Sequence, residues 1–494
     1  MQPSIISYSA VLSACEKGKQ PQTALQLFKN MKQRHIAPDV ITYSAAISAC
    51  EKGEEWPQAL SLLKEMQCLN LKPDVLAYRS VIGSCERDDQ WECVMSLLSD
   101  AQQRFTPTDL CHLAWAYATF AIHNVELFRK IAHDAIVKVN ELTLEMLSML
   151  TWAFATLDRT EPALFKSCAL EFAMRLKDCS LQDRSDTSMM TLAKHIRRIV
   201  WALTFARLRS ADLLSEAREA MLGIGRALDA ARGPQDTSRM PRSKSSLACS
   251  ERSSSDDQPF VLLDLHDRFV IHKPPGWQVD NDIVQSTARP LSTFLQALNP
   301  ARHWTIFCDV EHDHGFLHRL DVPCSGLILA AKTYAGYYDL LLQLSANELK
   351  REYVVLCHGW LPPGRGEVNA RIYESQRGPS VAVCWRGKPS STRVKVLAHA
   401  LCVGAAFSLV TIRITTGRTH QIRVHTAHIA HPTLCDGRYT ALTTFSCDQG
   451  KCPRNFLHRH RLAFQDSAGI AQEAVEPLPS DLASTLRRLS SRNG

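Results

Sequence analysis

The sequence predicts two architectures in one chain, an all-α solenoid of helical repeats followed by an α+β domain with a mixed, mainly antiparallel sheet. Three observations predict it. A motif returns at a fixed interval near the amino terminus, helical segments centred on tryptophan follow it, and from Phe260 the pattern changes to short β-rich runs parted by Gly and Pro turns. At 494 residues the chain exceeds the size at which one hydrophobic core stops growing, so two or three domains are expected.

The motif ISYSAVLSACEKG returns as ITYSAAISACEKG and more loosely as LAYRSVIGSCERD, which places Tyr8, Tyr43 and Tyr78 at intervals of 35 residues, with Cys15, Cys50 and Cys85 in the same register. Ala24, Leu27 and Met31 return as Ala59, Leu62 and Met66, and Pro38-Asp39 returns as Pro73-Asp74. Each unit reads as two amphipathic helices closed by a Pro-containing turn. A helix pair of this size cannot bury its apolar face alone, so the units stack over residues 1–109.

A looser periodicity occupies 110–222, where LAWAYATF, LTWAFATL and IVWALTFA set Trp115, Trp152 and Trp201 at helical core positions. From 223 to 258 the periodicity stops, and SRMPRSKSSLACSERSSSDD offers little to bury. This stretch reads as a flexible Ser/Arg-rich linker between independently folded parts, and 466–494 reads as a carboxy-terminal tail.

Composition excludes little. The 57 Lys+Arg against 50 Asp+Glu give a net charge of +7, compatible with a polyanionic partner but no proof of one. Seventeen cysteines without a CxxC pair or a secretory signal suggest thiols in a reducing intracellular compartment, with mitochondrion, plastid and cytoplasm all left open. The weakly charged stretch Val396–Ile412 carries His399 and Gly404 and is not read as a membrane span.

The α+β domain, 259–465, contains three segments whose residues a packed core has no reason to specify. HKPPGWQVD, with Lys273, Pro274 and Gly276, is a turn that brings backbone close to something. FLHRLDVPCSGLILAAKT places His318, Arg319 and Asp321 before a Ser-Gly turn and an apolar strand, and a carboxylate beside arginine can stay ionised and act as nucleophile or base. ITTGRTHQIRVHTAHIAHPTLCDGRY is dense in Arg and His, with Arg418 and Arg423 available for carboxylates or phosphates.

These motifs, with KREY between them and in this order, resemble those of the RluA-type pseudouridine synthases over nearly all of Phe260–Phe464. The resemblance implies isomerisation of uridine to pseudouridine within RNA, with no cofactor and no metal. It implies that Asp321 is the catalytic aspartate, attacking the nucleotide or abstracting a ribose proton, that Tyr353 stacks on the base, and that Arg423 pairs with the aspartate. Arg319, His318, Lys273 and Arg418 would contact RNA or line the pocket rim. Cys324 stands where the family usually has Thr.

The 35-residue unit resembles the pentatricopeptide repeat, and 110–222 is similar to octotricopeptide-type repeats; both imply RNA contact. In the first family the base-selecting pairs would be Ser9 with Asp39, Ser44 with Asp74, and Arg79 with Asp109. The same residues also read as helix caps of a protein-binding solenoid. RNA is the expected partner and a membrane is not. Three other readings stay open: a non-catalytic RNA-binding or assembly factor on a synthase fold, a hydrolase using Asp321 near His318, and a zinc site among His312, His314, His318, His420, His425, His428 and His431.

Overall fold

The repeated motif folds into paired helices. The computed structural model describes residues 4–18, 20–53, 55–71, 73, 77, 80, 81, 84, 107–119, 121, 123–179, 185–232, 257–279, 288–299, 303–364, 366–374, 381–385, 387–402 and 404–491. In it α1 (Ile5–Lys17) and α2 (Pro21–Gln33) form one hairpin, α3 (Val40–Lys52) and α4 (Trp56–Cys68) the next. Ser4 caps α1 through the Ser7 amide, and Asp39 caps α3 in a capping box with Thr42, which fixes where each unit starts. Pro21 and Pro57 sit in the first turns of α2 and α4, where a missing N–H costs nothing.

Tyr8, Leu12 and Cys15 are buried with Ala24, Phe28 and Met31, and Phe28 meets Tyr43 edge to face at 4.8 Å. A Cβ on Gly53 would overlap the Pro21 ring at 2.0 Å, so only glycine lets the two units close-pack there. Most of the expected third repeat, including Tyr78, Cys85 and Arg79, lies outside the described residues.

Helices continue as α5 (Pro107–Thr119), α6 (Val125–Val137) and α7 (Leu144–Thr156). Their core is filled by Tyr117, Phe128 and Phe154, with ring pairs at 6.2 and 4.8 Å. The tryptophans expected in the core, Trp115, Trp152 and Trp201, are only half-buried. An indole is large and is rarely covered completely, so part of each ring stays exposed.

Contacts divide the chain into two units, Met1–Phe154 and Ala155–Gly494. The second holds α8 (Pro162–Lys177), α9 (Asp186–Phe205) and α10 (Ala211–Arg232). It continues with β1 (Phe260–Asp264), β2 (Arg268–Lys273), β3 (Trp277–Gln278), β4 (Arg289–Pro290), α11 (Leu291–Ala297), β5 (Ser325–Ala331), α12 (Tyr334–Ser345) and β6 (Lys350–His358). Then come β7 (Glu367–Asn369), β8 (Ile372–Glu374), β9 (Val381–Val383), β10 (Ser391–Cys402), β11 (Ala405–Ile414), α13 (Gln421–His428), α14 (Leu442–Gln449), β12 (Leu457–Gln465), β13 (Ala471–Val475), α15 (Ser480–Arg487) and β14 (Ser490–Ser491).

The main sheet runs β1-β2-β5-β12-β6-β11-β10-β14, with β13 on β12 and β7 on β10. Among the described strands of this sheet only the β5–β12 pair is parallel, which gives the mixed, mainly antiparallel sheet the sequence predicts. Gly326 has φ of +125° and a Cβ there would lie 2.4 Å from the Arg459 carbonyl oxygen, so the Ser-Gly turn is what lets β12 come alongside β5.

Two expectations about boundaries are corrected. Of the expected tail at 466–494, the described residues to 491 are part of the domain, because β13 extends the sheet and Leu482 of α15 enters a core cluster with Leu356 and Phe407. Nor does a linker start at residue 223, since α10 runs through Gly223 to Arg232 and docks on α12. Asp229 accepts from the Tyr334 and Ala335 amides at 2.8 and 3.0 Å, capping α12 from another helix. Arg218 bonds Asp339 and Glu348 at 3.1 and 2.9 Å, and Arg232 bonds Asp309 at 2.7 Å. A Cβ on Gly225 would lie 2.3 Å from Ala335 Cα. Gly225 is there because two backbones touch.

Candidate active site

Asp321 stands on the turn that leads into β5, and three neighbours fix that turn. Its own carbonyl accepts from the Cys324 amide at 3.0 Å, and the Gly276 amide donates to Val322 at 2.9 Å. Lys273 Nζ donates to the Pro274 and Cys324 carbonyls at 2.9 and 2.7 Å. The KPPG segment thus serves as a clamp on the aspartate's loop. Lys273 has no exposed surface, which corrects its expected place on the pocket rim. Burial pulls its ammonium down to about 7.

Arg423, on α13, reaches Asp321 Oδ2 through Nη1 at 2.7 Å. Its other nitrogens, Nε and Nη2, form a fork on Asp436 at 2.8 and 2.7 Å. Asp436 is in turn fixed by the Thr433 hydroxyl at 3.1 Å and the Arg438 amide at 3.0 Å. Burial alone would lower the Arg423 guanidinium, but the bonds to Asp436 and the charges of both aspartates outweigh it and raise it above its ordinary value. Arg423 therefore stays charged and holds the Asp321 carboxylate in one orientation. α13 is itself anchored by Gln421, which donates to Ser391 and Thr392 of β10 at 2.9 and 3.0 Å.

Tyr353 projects from β6 and is buried, and its hydroxyl accepts from Arg459 Nη2 and Nε at 2.7 and 3.0 Å. Arg459 Nη1 also donates to His318 Nδ1 at 2.7 Å. Burial first, and then the charge of Arg459, hold the His318 imidazole neutral, well below its usual range. His318 is thus an acceptor within the protein. His420 lies in the left-handed region at φ 52°, with Nε2 3.8 Å from Asp321 Oδ2 and Nδ1 2.8 Å from the Tyr439 hydroxyl. Of the other histidines weighed as zinc ligands, His312 bonds Asp309 and Tyr338, His314 the Phe307 carbonyl, His425 the Ala370 carbonyl and His431 the His358 carbonyl.

Asp321, Arg423, Tyr353, His318, Arg319 and Arg418 all line one cavity of about 420 Å³, within the size range of small-ligand clefts. Arg319 Nη2 bonds the Thr419 hydroxyl at 2.5 Å across it. Arg418 lies 6.0 Å from the Trp201 ring, in the interior of the cavity wall and not on an open surface.

The repeat residues fare differently. Asp39 is engaged as the cap of α3, Ser9 bonds the Ile5 carbonyl at 2.9 Å, and Ser44 is only 2% exposed. Asp74 falls outside the described residues. Sequence reasoning gave no role to Asp436 and Arg459, although Asp436 stands in the DGRY element of the third segment. The signal for Arg459 was weak, because HRHR within β12 looks like any basic strand.

A carboxylate clamped by arginine beside a tyrosine, in a cavity rich in guanidinium groups, is equipment for acting on a base of a polyanion. Comparison with known proteins makes the class specific. The family model for RNA pseudouridylate synthase matches residues 267–428, and models for the PPR repeat family and the PPR repeat match 3–52 and 41–71. Ribosomal large subunit pseudouridine synthase D of Yersinia pestis is 31% identical over 239 residues, which cover 46% of this chain and 70% of that protein. Its namesake in Buchnera aphidicola is 32% identical over 240 residues, covering 46% and 73%. The solved structure of human RNA pseudouridylate synthase domain containing 1 is similar at 23% identity and a TM-score of 0.39, covering 48% of this chain and 90% of that one.

The chain belongs to the RNA pseudouridylate synthase family. It is an RNA pseudouridine synthase with PPR repeats ahead of its catalytic domain.

Proposed function

We propose that the substrate is a uridine in structured RNA, ribosomal RNA first among the candidates, with Asp321 as the reacting carboxylate. The observation that carries this reading is the 2.7 Å bond from Arg423 to Asp321 inside a cavity that Tyr353 also lines. The reaction breaks the bond from ribose C1′ to N1, turns the base and joins C1′ to C5, so C5 loses a proton and N1 gains one. Attack on the sugar by Asp321 and abstraction of a ribose proton both need its carboxylate oxygens aimed at the sugar, and the bond from Arg423 fixes that aim. The uridine must leave its stack to reach this depth, and the Tyr353 ring supplies an aromatic face in return. The expected ribosomal target follows the names of the relatives, and the PPR repeats serve as the targeting part.

The test is full-length protein and its Asp321→Asn variant, each incubated with a large-subunit ribosomal RNA transcript and mapped for pseudouridine. We expect defined uridines to be modified by the wild type, and the rate to fall by about 10²- to 10⁴-fold in the variant with RNA binding kept. If wild type and variant bind equally and neither modifies any RNA, the chain is a binding factor on a synthase fold.

A further inference from the structure

The cavity that holds Asp321 has one wall made by a helix outside the family match. Arg197 and Trp201 lie one turn apart on α9 and both line the cavity, whereas the matched segment starts at residue 267. Trp201 stacks on Phe205 at 5.1 Å and carries Arg418 on its ring, so α9 is fixed against the loop that leads into α13.

Three guanidinium groups on this cavity share a property. The Nε atoms of Arg197, Arg351 and Arg418 are each buried without a hydrogen-bond partner. Arg351 is only 5% exposed and packs against Gly417, where a Cβ would lie 3.0 Å from its Nη1. Burial pushes all three below the ordinary guanidinium range, Arg351 and Arg418 to about 10, and at Arg197 Tyr337 and then Asp313 offset only part of it.

Other buried arginines in this unit are compensated. Arg268 has Asp267 and Asp339, Arg423 has Asp436, and Arg459 has the Tyr353 hydroxyl and the Leu327 carbonyl. Leaving a desolvated cation without an acceptor is costly, and arginine's planar fork is matched to phosphate oxygens. Three such groups on one cavity are accounted for by an anion that arrives with the substrate.

We propose that Arg197, together with Arg351 and Arg418, binds phosphodiester groups flanking the reacting uridine, so that α9 is part of the substrate site. This rests on reading the Asp321 cavity as the uridine pocket. The RNA backbone supplies the acceptors that these guanidinium groups lack, and the helical segment ahead of the family domain takes part in substrate recognition at the reacting nucleotide.

The test compares binding of uridine and uridine 3′,5′-bisphosphate to full-length protein by calorimetry. The wild type should prefer the bisphosphate by about tenfold or more. Arg197→Gln should remove most of that preference, while Arg129→Gln, on the exposed face of α6, should keep it. An Arg197→Gln protein with the full wild-type preference overturns the proposal, as does a wild type with none. If Arg197→Gln does not fold, Arg197→Lys decides, since an intermediate preference supports the site and an unchanged one overturns it. A wild type that modifies no RNA yet shows the Arg197-dependent preference sinks the proposed activity and supports the phosphate site. Modified RNA without that preference sinks only the site.

Discussion

Lys273 shows how a residue can matter to the reaction without touching the substrate. Its ammonium is buried and spends its donors on main-chain carbonyls at Pro274 and at Cys324, the latter on the turn that carries Asp321. A methionine fills the same volume but donates nothing, so the loop would lose its tie while the cavity walls stay in place. We expect Lys273→Met to lower kcat by about tenfold or more, the loss of one or two charge-assisted bonds, with KM for RNA nearly unchanged. Equal losses in kcat and in RNA affinity would show instead that the lysine holds RNA. In the sequence this lysine looked like a rim residue, because the spacing of KPPG reveals a turn but not which way its lysine points.

Among the elements, the helical hairpins and the strands were legible because each repeats a period that burial imposes. The interval from Tyr8 to Tyr43 marks the stacked units, and runs such as RFVIHK mark buried strands. α10 was not legible beyond Gly223, since the apolar periodicity stops there and the reason for Gly225 lies in α12, far along the chain. The same holds for β13 and α15, whose places depend on partners in β12 and the Leu356 cluster. Of the site, Asp321, Tyr353 and Arg423 were legible through motif order. Arg197 and Trp201 were not, because a basic residue and an indole on an amphipathic helix look the same wherever the helix docks. Gly225→Leu should drive α10 off α12. Limited proteolysis would then cut within α10 at rates at least tenfold above wild type, reading the opened population of that helix, and an unchanged digestion pattern would show that the helix pair is not close-packed.

At the scale of the whole molecule, acid sensitivity follows from two buried imidazoles in the sheet domain. Burial, followed by the charges of His272 and Arg454, lowers His458 to about 3, and burial lowers His425 to about 4. Both values lie below the ordinary 6.5, so between that pH and the folded values the unfolded chain binds protons that the folded chain refuses. Stability from these groups is complete above about pH 6.5 and is lost as pH falls, at about 1.4 kcal/mol per pH unit for each proton. Melting temperatures from pH 7 to pH 4 should fall accordingly, and His458→Gln should flatten the slope by about one proton. A slope unchanged in that variant would mean that His458 titrates normally.

The Asp229 cap also governs how the enzyme can be cut. Anyone seeking the catalytic part alone would trim the chain after Arg232, where the sequence looks expendable. Such a fragment leaves the first amides of α12 without acceptors, deprives Asp339 and Glu348 of Arg218 and bares the backbone of Ala335 that α10 covers. The stretch that must travel with the catalytic part begins near Ala155, and a shorter one is expected to express as aggregate.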